Sequence, residues 1–169
     1  MRYRRQVSFL SSIKEHGGSL SVGKRKERRP IVTKRPMHVT LKSSIAVGRL
    51  SLFTKGREIE RLVRRLAHQF SVKIFEYSNN GNHLHLAVQA REREGFKKFL
   101  MAIAGQIAQK MTGSQKKKPL ARKFWDFIPF TRIVEWGKDL ERVVFYVMQN
   151  QQEALGLLPT RKRVKPSTG

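Results

Sequence analysis

Two histidines one residue apart, His83 and His85, and a tyrosine followed four residues on by an asparagine, Tyr146 and Asn150, have the types and spacings that suit chemistry. In the run His83-Leu84-His85-Leu86-Ala87-Val88, imidazoles alternate with apolar side chains. In an extended strand residues i and i+2 share a face, so both rings project to one side while Leu84, Leu86 and Val88 turn to the other. Two imidazoles on one face suit a divalent metal. The sequence has no Cys, so thiolate zinc sites and disulfide frameworks are excluded, and a metal would be held by His, Asn, Gln or carboxylates. Tyr146 and Asn150 stand one helical turn apart, where phenol and carboxamide address a common point. A wheel count places Leu140, Val143, Val144, Val147, Gln151 and Leu155 on one stripe, with Tyr146 off its centre and its hydroxyl not needed by a core. Taken singly, a strand with two half-exposed histidines and a surface tyrosine are ordinary features. Their joint occurrence in one very basic chain points to a site.

The charge narrows the partner. Against 12 Asp and Glu the 169 residues carry 36 Lys and Arg, a formal +24, which is an electrostatic footprint for polyphosphate. No long apolar segment, signal-type N-terminus or strongly amphipathic basic helix offers a route into a membrane, so nucleic acid is favoured and no membrane partner is expected. The lack of Cys fits a reducing compartment, and the expected location is cytoplasmic.

Around these residues the elements come in a readable order. His38 to Ser43 alternates as a half-buried strand. Arg57 to Phe70 sets Ile59, Leu62, Val63, Leu66 and Phe70 at helical spacing, with Arg61, Arg64 and Arg65 on the other side. Val72 to Tyr77 reads as a strand, Asn79 to Asn82 as a turn, and His83 to Gln89 as the hairpin partner. Glu94 to Met111 is a second helix, Phe130 to Glu135 a further strand, and Lys138 to about Leu155 the last helix. The order β-α-β-β-α-β-α gives an α+β class, a ferredoxin-like antiparallel sheet with helices packed on one face. Three segments follow: residues 1–36 as a basic, flexible N-terminal arm with eleven Lys and Arg, residues 37–158 as the folded domain, and residues 159–169 as a basic tail. Lys116, Lys117, Lys118, Arg122 and Lys123 form a basic loop suited to phosphate contacts.

The chain resembles the single-tyrosine HUH transposases of the insertion-sequence type, and within them the REP-associated tyrosine transposases. Gly81-Asn82-His83-Leu84-His85-Leu86 corresponds to the family's core motif, and Tyr146-Val147-Met148-Gln149-Asn150, closing with Ala154-Leu155-Gly156-Leu157, to its catalytic helix. Phe124-Trp125 and Thr131-Arg132-Ile133-Val134 look like the aromatic pair and the strand that leads into that helix, and the resemblance runs from about Pro36 to Leu158. Gln151 stands where many members carry Pro.

This resemblance implies an HUH endonuclease core performing metal-assisted transesterification on single-stranded DNA beside a hairpin or palindrome. Tyr146 would be the nucleophile, giving a 5′-phosphotyrosine link and a free 3′-OH. His83, His85 and Asn150 would hold Mg²⁺ or Mn²⁺. Lys116, Lys117, Lys118, Arg122, Lys123 and Arg132 would contact the nucleic acid. His38, where the family often has a histidine, reads as a supporting residue rather than a ligand. Single-stranded or hairpin DNA is the implied partner, without a small-molecule cofactor, for a monomer or homodimer associated with a bacterial nucleoid. Two other readings stay open: a catalytically silent DNA-binding protein derived from a transposase, and an RNA-binding module stacking bases on Phe75 and Tyr77, which a regular strand would place on one face.

Overall fold

The computed structural model describes residues 15–114 and 123–159. Its five strands are β1 (Glu15–His16), β2 (Met37–Lys42), β3 (Val72–Asn79), β4 (His83–Ala90) and β5 (Phe130–Ile133), and its helices are α1 (Gly56–Gln69), α2 (Arg93–Thr112) and α3 (Lys138–Ala154). The strands form one antiparallel sheet in the order β1-β5-β2-β4-β3. The ferredoxin-like α+β architecture is therefore present, and its two faces are used differently.

On one face, α1 buries Ile59, Leu62, Val63 and Leu66, and α2 buries Phe96, Phe99, Leu100, Ile103, Ile107 and Met111. Both stripes follow the helical period and close over Leu84, Leu86 and Val88 of β4 and Val39 and Leu41 of β2. Gly113 ends α2 in the left-handed region, φ +66°, with its N–H bonded to the Gln109 carbonyl at 2.8 Å. The expectation of helices on one face holds for α1 and α2. The third helix lies on the other face, where Val143 and Val147 bury themselves against Ala87 and Val134, with Phe75 and Leu140 at the margin. Ala87 shares its face with His83 and His85, so α3 is packed on the histidine side of the sheet.

Two further departures have local causes. A bulge between Ile74 and Glu76 shifts the β3 register, so Ile74 faces Val88 while Glu76 faces Ala87. Phe75 is thereby sent to the α3 side, where its ring meets Trp136 edge-on at 5.9 Å, and Tyr77 is buried in the main core. The stacking platform that an RNA-binding reading needs is absent from β3. The segment before Met37 also differs from a flexible arm. From Glu15 onward it pairs as edge strand β1, buries Ile31, and lays Arg29 against Thr131 with an Nη1 to Oγ1 distance of 2.6 Å. Burial pulls the Arg29 guanidinium down to about 10. Its carbonyl accepts from Arg93, the Thr33 carbonyl from Gln89, and the Lys34 carbonyl from the Trp136 indole. Among the described residues no helix is long and apolar enough to cross a membrane.

Candidate active site

The turn that delivers the histidines is fixed from several sides. Asn79 Oδ1 accepts from the Gly81 N–H at 3.0 Å, and the Asn80 N–H donates to the His83 carbonyl at 2.9 Å, an Asx-type closure of the hairpin. Gly81 has φ +80°, and a Cβ there would meet the Phe53 ring at 2.7 Å. The Leu52 N–H donates to the Gly81 carbonyl at 2.7 Å, and the Ser43 N–H to the Asn82 carbonyl at 2.9 Å. His83 thus leaves a turn held by the residue 51–53 segment and by the end of β2.

His83 and His85 project on one side, their ring centroids 4.8 Å apart and nearly perpendicular. His83 Nδ1 lies at 2.5 Å from Asn82 Oδ1 and its Nε2 at 3.1 Å from Asn80 Nδ2. A carboxamide oxygen only accepts and its nitrogen only donates, so Nδ1 carries the proton and the Nε2 lone pair accepts from Asn80. His85 Nδ1 is within reach of Thr40 Oγ1 at 3.1 Å and His38 Nε2 at 3.2 Å, both from β2. Such partners orient an imidazole and fix its tautomer. Burial, with the Arg132 charge second, pushes the His38 imidazole down to about 4, so it is neutral near pH 7.

α3 brings Tyr146 onto this cluster. Its ring lies 5.5 Å from that of His85 and 5.9 Å from that of His38, both edge-on, while 43 % of the residue remains exposed. Two anchors seat the helix. At its start Arg132 and Asp139 form an ion pair at 3.2 Å, and Asp139 Oδ2 accepts from the Glu135 N–H at 3.0 Å. At its end Gln151 Oε1 accepts from the Asn79 N–H at 2.6 Å, joining α3 to the hairpin that carries the histidines. Between them Asn150 is buried and donates its amide to the Tyr146 carbonyl at 2.8 Å.

A profile of the family "Transposase IS200 like" matches residues 25–150, most of the chain. The chain belongs to the IS200-like transposases. It is therefore an enzyme of the HUH endonuclease type. Its fold is similar to a solved REP-associated tyrosine transposase bound to a REP hairpin, with TM-score 0.61 and 16 % identity over 80 % of this chain and 76 % of that one. A putative transposase from Deinococcus radiodurans R1 aligns at TM-score 0.43 and 15 % identity, over 75 % of this chain and 98 % of that one. No curated protein matches the sequence.

In this transposase His83, His85 and Tyr146 converge, and Asn150 lies one turn beyond the tyrosine on the same helix. Arg132 is engaged with Asp139 at the start of α3, Lys123 is exposed, and Lys116, Lys117, Lys118 and Arg122 lie outside the described residues. Thr40 and Gln151 are the residues that sequence reasoning missed. Thr40 carried a signal, since strand alternation puts it on the face of His38. Gln151 carried one too, as a polar residue on the apolar stripe of its helix.

Proposed function

We propose that this transposase cuts and rejoins single-stranded DNA beside a hairpin or palindrome through a 5′-phosphotyrosine at Tyr146. What carries the reading is the meeting of the Tyr146 ring with a histidine pair whose outer hydrogen bonds are already set. The Tyr146 oxygen attacks the scissile phosphorus and the 3′ oxygen departs, taking up a proton. One phosphodiester is exchanged for another, and the bond is kept for rejoining. The partly exposed phenol can reach a flexible strand, whereas a duplex holds its phosphate in a stacked helix.

The donor set fits a divalent ion. His83 Nε2, which accepts from the Asn80 amide, would exchange that bond for the metal, and His85, with Nδ1 facing Thr40 and His38, would bind through Nε2. By analogy with the family, Asn150, one helical turn beyond Tyr146, would complete the set through its carboxamide oxygen, its amide nitrogen being bonded to the Tyr146 carbonyl. Bound there, Mg²⁺ or Mn²⁺ would polarise the phosphoryl group and offset its developing charge. Oxygen-rich sites suit Mg²⁺ better, and two imidazoles shift preference toward Mn²⁺. The net +24, including Lys123 and the Lys116 to Lys118 run with Arg122, supports binding through phosphate neutralisation. The chain would act in the cytoplasm at the nucleoid, as a monomer or homodimer.

The test is incubation with a labelled hairpin carrying a single-stranded flank, in Mn²⁺ or in chelator, followed by denaturing electrophoresis. A shifted covalent band that needs metal and the flank, and is missing with perfect duplex, is the expected result. Binding without any adduct would favour the catalytically silent reading, and equal cutting of duplex a nonspecific nuclease.

A further inference from the structure

We propose that a cavity beside the reaction centre, between the residue 18–21 turn and the 127–130 segment, is a nucleobase pocket for the substrate strand. The inference builds on the cleavage reading above and names the part of the surface that selects the base near the cut. The cavity measures about 390 Å³, and Leu20, Phe127, Ile128, Phe130, Thr40 and Lys42 line it. That is at the small end of the range for organic ligands.

Its position links it to the chemistry. Thr40 and Lys42 stand opposite His85 and His83 in the β2–β4 register, and Thr40 is also the residue against His85 Nδ1. Phe130 faces Thr40 across β2–β5. The Phe130 ring meets the His38 ring edge-on at 6.5 Å, and His38 meets Tyr146 at 5.9 Å. One imidazole therefore separates the pocket wall from the nucleophile. A strand whose phosphate lies at Tyr146 has a neighbouring base within reach of this opening.

The walls have the right character. Two phenylalanines and two aliphatic side chains supply stacking surface, and Lys42 and Glu15 add one cation for a phosphate and one carboxylate that can accept from a base N–H. Leu20, Phe127 and Ile128 stay 43 %, 39 % and 52 % exposed, apolar surface of the kind that marks a binding site. Beyond Leu20 and Ile128 a second depression is bordered by Lys24, Arg25 and Lys26 together with Glu15 and Glu27, three cations against two carboxylates, which leaves a net positive path for the strand's next phosphates.

The pocket is also built in. Gly17 has φ +86°, and a Cβ there would sit 2.2 Å from the Pro129 carbonyl oxygen. The Gly18 N–H donates to the Ile128 carbonyl at 3.0 Å. The turn carrying Leu20 is thus seated backbone to backbone on the 127–130 segment. The pocket gives the site a means of reading sequence, because a nucleophile and its supporting residues contact only phosphate and sugar.

The test uses the full chain with Tyr146→Phe, so that binding is read without cutting. Hairpin substrates carry a single abasic position moved stepwise along the flank, and the affinity of each is measured. One position close to the hairpin should lose about 5- to 150-fold, the worth of one stacked base. In Phe127→Ala that loss should shrink below about 2-fold while other positions keep theirs, and 2-aminopurine at that position should lose its quenching. Leu20→Trp, which fills the cavity from a surface turn, should weaken the intact substrate yet leave the abasic one unchanged, even if Phe127→Ala proves unstable. Equal tolerance at every position, or a penalty that survives both variants, would overturn the pocket. Failure of the cleavage reading would show separately, as no adduct with Tyr146 intact, and would leave these binding results interpretable.

Discussion

The hydrogen bond behind His85 offers a sharp test of how the site is organised. With Nε2 on a metal, His85 Nδ1 carries the proton, and Thr40 Oγ1 at 3.1 Å and His38 Nε2 at 3.2 Å are the two groups placed to accept it. Thr40→Val keeps the volume and removes the oxygen; His38→Phe keeps a ring against Phe130 and Tyr146 and removes the nitrogen. Loss of the partner that orients a ligating imidazole typically lowers metal affinity about 10- to 100-fold, or ~1.4–2.8 kcal/mol. Because either acceptor can stand in for the other, each single variant should fall short of tenfold, and the double variant should reach the full range. Sites that share a partner are not additive. The measurement is adduct yield at saturating DNA across a Mn²⁺ titration. Half-saturation should move to higher metal in the double variant, while the rate at excess metal returns near the parent's. An unchanged half-saturation in the double variant, or activity that excess metal does not restore, would refute the reasoning.

Other expectations follow from single contacts. Tyr146→Phe should abolish the covalent adduct and leave DNA affinity within about twofold, since only one oxygen is removed; an adduct surviving in that variant would sink the assignment of the nucleophile. Gln151→Ala leaves the Asn79 N–H without its acceptor at 2.6 Å and should cost about 1–3 kcal/mol in urea denaturation, with a wholly unchanged midpoint counting against the anchor. Gly81→Ala forces φ +80° on a residue with a Cβ and pushes that Cβ into Phe53, so a loss of about 1–3 kcal/mol is expected, and a melting temperature equal to the parent's would contradict it.

The sequence made legible what local rules govern. Helical periodicity located α1 and α2 to within one residue at each end, and the Asn-Asn-Gly-Asn turn located the β3–β4 hairpin, because in both cases the pattern is repeated by many residues. The pairing of histidines on one face followed from strand alternation alone. What stayed hidden depends on contacts distant in sequence. The bulge at Phe75 breaks period-two alternation with no Gly or Pro to announce it, since the packing of Phe75 on Trp136 competes with that of Ile74 and Tyr77 on the core. β1 has two residues and no periodicity to detect. On the side of the sheet taken by α3, Val143 and Val147 pack on the small side chain of Ala87, a contact that strand alternation alone does not announce.

The two-residue pairing of Glu15 with Arg132 and His16 with Thr131 bears on where this domain can safely be cut. The region shared with the family begins at residue 25, beyond both β1 and the residue 18–21 turn that follows it. A shorter chain starting there would uncover the outer backbone of Phe130–Ile133, a row of amides and carbonyls that invites another chain to add itself as a strand. The opposite border of the sheet is protected differently, since the bulge in β3 breaks its regular ladder. Homology and hydrogen bonding thus draw the boundary in different places, and concentration-dependent self-association of the shortened chain, absent from the full one, would be the sign that the second boundary is the physical one.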